Sequence, residues 1–215
     1  MIASMGAVGL GSFGSSNSRP AELVDEELTP EPSPDRLVFD GPLPVIDAAR
    51  PHIATITTDQ GDIEIELAAD APQAINSFAF LAGAGFYDGQ VFYYVSKELG
   101  AVAGDPTCTA DNERTCSGVG GPGYSLPLEE SKGLHKQWAV VAPFVTEGGQ
   151  DVHGSQFRIL YKDDPRLDGK ETVFGEVVKG QDILDGCMNV AVKVAVSHPA
   201  EFIVIDIRQP MQAAN

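Results

Sequence analysis

Gly154–Val177, GSQFRILYKDDPRLDGKETVFGEV, is the stretch whose reading decides the fold. It opens on an apolar run, 156–161, in which side chains of a strand would alternate: Gln156 and Arg158 on one face, Phe157 and Ile159 on the other. LeuAspGlyLys at 167–170 reads as a turn, and 172–178 as the next strand. Asp168 and Glu171 flank that turn, where two carboxylates are read as turn chemistry on a solvated face rather than as a general acid and base.

Working outward, apolar and polar residues alternate over 53–58 and again over 62–67 with Gly61 between, the pattern of a hairpin. Asp70 is placed to cap a helix whose first turn holds Pro72. Ile75, Phe78 and Leu81 then recur at helical spacing until Gly83 and Gly85 stop it. A second short helix is expected over Gln181–Asp185, and the runs 91–95, 138–142 and 201–207 are strand-like. Many strands with two short helices point to a mainly β domain, and composition alone does not separate a barrel from a sandwich.

Several landmarks fall in a specific order: GlyAsp at 61–62, AlaPro at 71–72, GlyPheTyrAspGly at 85–89, GlyAspPro at 104–106, GlyGlyProGlyTyr at 120–124, GlySerGlnPhe at 154–157, LeuAspGlyLys at 167–170 and ValPheGly at 173–175. In that order they resemble the cyclophilin-type peptidyl-prolyl isomerases over residues 52 to 208. The resemblance implies a cyclophilin-like closed antiparallel β-barrel capped by two short α-helices. It also implies rotation about X-Pro peptide bonds in protein clients, a reaction that needs no cofactor and no metal. In the family a strand reading FHRV supplies an arginine closely tied to catalysis; here Phe92, Tyr93, Tyr94 and Val95 occupy it, so Tyr94 stands at the arginine position. A tyrosine hydroxyl donates one hydrogen bond but not a charge-assisted pair.

Carried over by motif, the family's groove positions fall on Leu99, Gly100 and Val102, on Ala142 and Phe144 beside Pro143, and on Arg166, Leu167 and Glu171. Gln156 and Leu167 keep the family's residues, whereas Arg158 and Arg166 replace aromatic rings and Glu171 replaces a histidine. Tyr94, Gln156 and Arg158 are therefore the candidate catalytic residues; Leu99, Val102, Ala142, Phe144, Arg166, Leu167 and Glu171 are the candidate substrate contacts. Two roles for Arg158 stay open: a cation acting from a new position, or a long polar side chain that fills the proline pocket. Two functions follow in turn, an isomerase with a remodelled groove and weak or narrow activity, or a silent module that binds proline-containing peptides or serves a larger complex. Low sensitivity to cyclosporin is expected in either case, because Arg166 stands where the family's Trp contacts that ligand.

The net charge of −17 on 215 residues, with only 14 Lys and Arg, disfavours nucleic acid as a partner. Residues 1–17 are apolar and carry no charged side chain. They lack the basic start of a secretory signal and are too short and Gly-rich for a spanning helix of about 20 residues, so they read as the tail of a longer hydrophobic anchor or as a disordered end. Residues 18–51 set Pro20, Pro30, Pro32, Pro34, Pro42 and Pro44 among many carboxylates, the composition of an extended acidic tether or of a tail with no spacing role. Within them Leu37, Val38, Phe39, Leu43, Val45 and Ile46 are apolar enough to pack on the domain. Residues 209–215 read as a C-terminal tail. An extracytoplasmic or cell-envelope location is expected, with cytoplasm as the alternative.

Cys108 and Cys116 flank an apparent insertion, and three readings stay open: a disulfide contributing about 2–3 kcal/mol, two free thiols, or half of a metal site that no nearby histidine completes. Cys187 reads as a buried small apolar residue, and the four histidines, His52, His135, His153 and His198, show no ligand spacing and read as structural or exposed. Of the three cysteines, a Cys108–Cys116 pair leaves one titratable thiol before reduction and three after it; three in the untreated chain exclude the pair.

Overall fold

The computed structural model describes residues 38–58, 60–109, 118–146, 148–184 and, by backbone alone, 202–208. Strands β1 (Ile53–Thr58) and β2 (Gly61–Leu67) form the expected hairpin, with Ala54, Ile56, Ile63, Ile65 and Leu67 buried and the alternate positions left at the surface. Seven further strands follow: β3 (Tyr94–Ser96), β4 (Gly100–Ala103), β5 (Ser125–Pro127), β6 (Ala139–Ala142), β7 (Asp151–His153), β8 (Phe157–Ile159) and β9 (Thr172–Lys179). β10 (Phe202–Arg208) completes the series.

Eight strands make one curled antiparallel sheet in the order β10-β1-β2-β9-β6-β8-β4-β3, and β5 pairs with β7 separately. The fold is mainly β and antiparallel, as the sequence leads one to expect. The run 91–95 differs in detail: its first residues hold single bonds, Val91 N–H to the Cys108 carbonyl and Tyr93 N–H to that of Val102, and the ladder begins only at Tyr94. β4, β5 and β7 have no counterpart among the apolar runs read from the sequence.

Helix α1 (Pro72–Gly83) buries Ala74, Ile75, Phe78, Leu81 and Ala82 against the sheet. Phe78 sits at the centre of the core, with ring centroids 5.2 Å from Tyr87, 5.5 Å from Phe157 and 5.4 Å from Phe174. The expected cap is corrected. Ala71, not Asp70, is the N-cap residue, and the free N–H groups of Gln73 and Ala74 donate to the distant Glu129 carboxylate at 3.0 and 2.9 Å. Asp70 instead accepts the Lys132 N–H at 2.6 Å. A remote carboxylate serves a helix N-terminus as well as a local one, because both the orphan donors and the dipole favour negative charge there. The expected second helix is present over 181–184, and residue 185 lies outside the described residues.

Residues 38–50 lie along the domain as a strap. Phe39 meets Phe80 edge-on at 5.0 Å and donates its N–H to the Pro122 carbonyl at 2.7 Å, while Asn76 of α1 bonds the backbone of both Leu43 and Val45. Val38, Leu43 and Val45 stay exposed; Ile46 packs on the core. Cys108 is buried and disulfide-bonded, and Cys116 and Cys187 lie outside the described residues, as do 1–37 and 209–215. Among the described residues no helix is long and apolar enough to cross a membrane, and no group of His, Cys, Asp or Glu is arranged to hold a metal ion.

Gly100 opens β4 at φ +86°, where a Cβ would lie 1.9 Å from the Ile159 carbonyl oxygen. Gly100→Ala is therefore expected to destabilise the domain by more than about 2 kcal/mol, through both the close contact and the left-handed backbone. Urea unfolding measures it, and a change below about 0.5 kcal/mol would show that β4 does not hold this position.

Candidate active site on the outer face of the sheet

Register places the candidate residues in one row. Tyr94 pairs with Val102, Val102 with Arg158, Arg158 with Val141, and Val141 with Val173. Directly opposed residues in an antiparallel sheet share a face. Their chain neighbours Ala101, Ala103, Phe157, Ile159, Val140 and Phe174 belong to the core, so the row lies on the face turned away from it. Tyr94, on β3, is 48% exposed and Leu99, in the β3–β4 turn, 44%, so both lie at the exposed rim of that hairpin. Leu167, half-buried in a 3-10 turn (Pro165–Leu167), belongs to the loop between β8 and β9. That loop is joined to the hairpin by an ion pair of Lys162 with Glu98.

Arg158 is the unusual member. It is only 8% exposed, and its guanidinium is bonded to the Glu171 carboxylate, itself 2% exposed. His135 lies behind the pair, with Nε2 3.7 Å from Glu171 Oε2; its Nδ1 is 2.9 Å and its backbone nitrogen 3.0 Å from Asp168 Oδ1. Four ionisable groups from β8, the start of β9, the 128–138 loop and the 168 turn thus form one chain. Burial pushes the Glu171 carboxyl up despite the opposing charge of Arg158, while the bonds from His135 hold Asp168 down.

This corrects the reading of the turn. Glu171 is not on a solvated face, because Thr172 and Val173 beside it are buried in β9 and Arg158 crosses from β8 to meet it. His135 is buried, and it is the residue sequence reasoning missed: no local pattern marks it, and only the tertiary fold carries it to Asp168. A buried strand cation at Arg158 was the one available signal, since such a group needs a carboxylate nearby.

The other candidates separate. Gln156 is buried and fully engaged, donating to the carbonyls of Gly120 (2.7 Å) and Gly118 (3.3 Å) and accepting from the Tyr93 hydroxyl (2.8 Å). Burial, with the charge of Asp105 second, pushes that phenol up to about 12. Arg166 projects into solvent and clasps Asp164 through two bonds of 2.7 and 2.8 Å, which bring that carboxyl down to about 2. Ala142 packs its side chain in the core, and Phe144 is half-buried, with its backbone nitrogen on the Glu171 carboxylate. A hollow of about 310 Å³ lies between the 119–125 loop, Val145 and His153, and includes neither Tyr94 nor Arg158.

The sequence profile described as cyclophilin type peptidyl-prolyl cis-trans isomerase matches residues 53–207, most of the chain. The chain belongs to this family. A peptidyl-prolyl cis-trans isomerase of Helicobacter pylori is 37% identical over 142 residues, covering 64% of this chain and 80% of that one. A peptidyl-prolyl cis-trans isomerase-like 2 protein of Cryptococcus neoformans is 33% identical over 93% of this chain, yet the chain spans only 37% of that relative's length. The crystal structure of a cyclophilin-type isomerase of Cryptosporidium parvum superposes with a TM-score of 0.62 at 23% identity, covering 74% of this chain and 99% of that one, and so shares the fold.

Arg158→Leu leaves the Glu171 charge buried without its cation and is expected to cost about 3–5 kcal/mol at neutral pH, most of it recovered when Glu171→Leu is added. A carboxyl whose folded pKa lies above its unfolded value stabilises the fold below the unfolded value, and that contribution is lost as pH rises through the folded value. The cost of Arg158→Leu should therefore shrink as pH falls toward 4.5, Glu171's ordinary value. Urea unfolding across that range measures both effects, and a cost independent of pH would show that Glu171 is not the charge left behind.

Proposed function

We propose that the chain is a cyclophilin-type peptidyl-prolyl isomerase whose remodelled groove gives weak or narrow activity on X-Pro bonds in protein clients. The barrier to rotation is ~18–20 kcal/mol, and uncatalysed exchange takes tens to hundreds of seconds. Twisting the amide makes its nitrogen pyramidal, so a fixed donor aimed at that nitrogen stabilises the transition state. The observation that carries the reading is Tyr94, half-exposed at the rim and in register with Val102. Its hydroxyl is the donor, and the apolar rim receives the residues that flank the bond. Arg158 does not fill this role while Glu171 holds its guanidinium.

That same ion pair favours the second reading, a silent module that binds proline-containing segments or serves a larger complex of the cell envelope. Arg158 and Glu171 place two buried charged groups on this face, where a pyrrolidine ring would need an apolar cup. The disulfide at Cys108 supports an extracytoplasmic site of action, because disulfides persist in oxidising compartments. The acidic, Pro-rich 18–51 stretch supports a tethered domain there.

NMR exchange of a short prolyl peptide with the purified chain tests both readings. Turnover is expected in the parent, with about a tenfold drop in Tyr94→Phe, the loss of one transition-state hydrogen bond of ~1.4 kcal/mol. Peptide binding without exchange moves the conclusion to the silent module. Equal turnover in Tyr94→Phe removes Tyr94 from the mechanism.

A further inference from the structure

We propose that Glu171 and His135 are positioning residues that hold the Arg158 guanidinium down on the sheet, and that one proton taken up by this pair frees it to act on the amide in the groove. The inference rests on the isomerase reading and adds a cation to it. Asp168 accepts from both the backbone nitrogen and Nδ1 of His135, so in the neutral ring Nδ1 carries the proton and Nε2 is a bare acceptor. That acceptor faces a second one, Glu171 Oε2, at 3.7 Å.

A single proton from solvent, shared by the pair, converts the two facing acceptors into a donor and an acceptor. Whichever atom carries it, less carboxylate charge remains for Arg158. Arg158 Nε, Glu171 Oε1 and His135 Nε2 are moreover buried with no hydrogen-bond partner among the described residues, so the closed arrangement is under-satisfied. Burial, which already favours the protonated carboxyl of Glu171, biases the change in the same direction.

The groups facing Glu171 are Arg158 from β8, His135 from the 128–138 loop and the Phe144 backbone nitrogen. Asp168 acts on it only through His135, and Asp164 senses the charge of Arg158 from the turn. A buried guanidinium that has lost its counter-charge moves its head toward water on its long stem. Its way out is the groove. Val102 alone separates Arg158 from Tyr94 in the row, roughly 10 Å or two strand spacings.

The test uses the whole chain, a prolyl peptide followed by exchange NMR from pH 8 to pH 5, and the protection of the Arg158 Nε–H from solvent. Turnover is expected to rise about tenfold on acidification. Glu171→Gln should be active and flat with pH, and Arg158→Leu should lack the rise. Loss of Arg158 protection with the same midpoint needs no variant to fold. That loss without any turnover supports the hold and defeats the isomerase reading, so the two failures are distinct. Arg158 protection that is constant from pH 8 to pH 5 overturns the proposal whatever the turnover.

Discussion

The outer face of this sheet depends on how closely β4 lies against β8. Gly100 and Gly104 bracket β4 with positive φ, and a Cβ at either would fall within 1.9 or 2.3 Å of the Ile159 or Ser155 carbonyl oxygen. Only a residue without a side chain lets two backbones meet so closely. The Ser155 hydroxyl closes the contact by donating to the Gly104 carbonyl at 2.8 Å. With both ends fixed, Val102 is held in register with Arg158 on one side and Tyr94 on the other. A slip of one residue would turn the row into the core and the core residues outward.

The ion pair on this face is not a source of stability in itself. Desolvating two charges costs as much as their attraction returns, so such a pair matters by what it forbids: Arg158 cannot lose Glu171 while remaining where it is. The exposed pairs differ in kind. Arg166 with Asp164 and Lys162 with Glu98 each hold their cation open to solvent, where screening leaves little energy in them, and they bias loop positions rather than hold the fold. The two arginines of the 154–177 stretch are thus held in physically unlike ways, one buried against Glu171, one exposed against Asp164.

Most of the fold was legible because its signals are local. Alternation gave β1 and β2, an apolar run gave β9, helical spacing gave α1, and the ordered motifs gave the family. The N-cap was misread because Glu129, which serves the helix, is more than fifty residues away. The site was legible only as positions. Alternation put Gln156 and Arg158 on one face, but nothing local said that Gln156 would be consumed by Tyr93 and the 118–120 backbone. Glu171 looked solvated because a GlyLys turn precedes it, and its burial follows from what crosses over it. His135 carried no signal at all, since its partners Asp168 and Glu171 lie more than thirty residues along the chain.

The strap over residues 38–50 has a mechanical consequence. It is fastened at Phe39 by one aromatic contact and one backbone bond, farther on by Asn76, and then by Ile46 on the core, so its grip is a few discrete points in series. Tension entering from the N-terminal side would load Phe39 first and peel the strap point by point. The β1 ladders, bonded on both edges to β2 and β10, would feel the pull only after the last point had yielded. The strap therefore works as a sacrificial fastening that spares the sheet, and with it the groove.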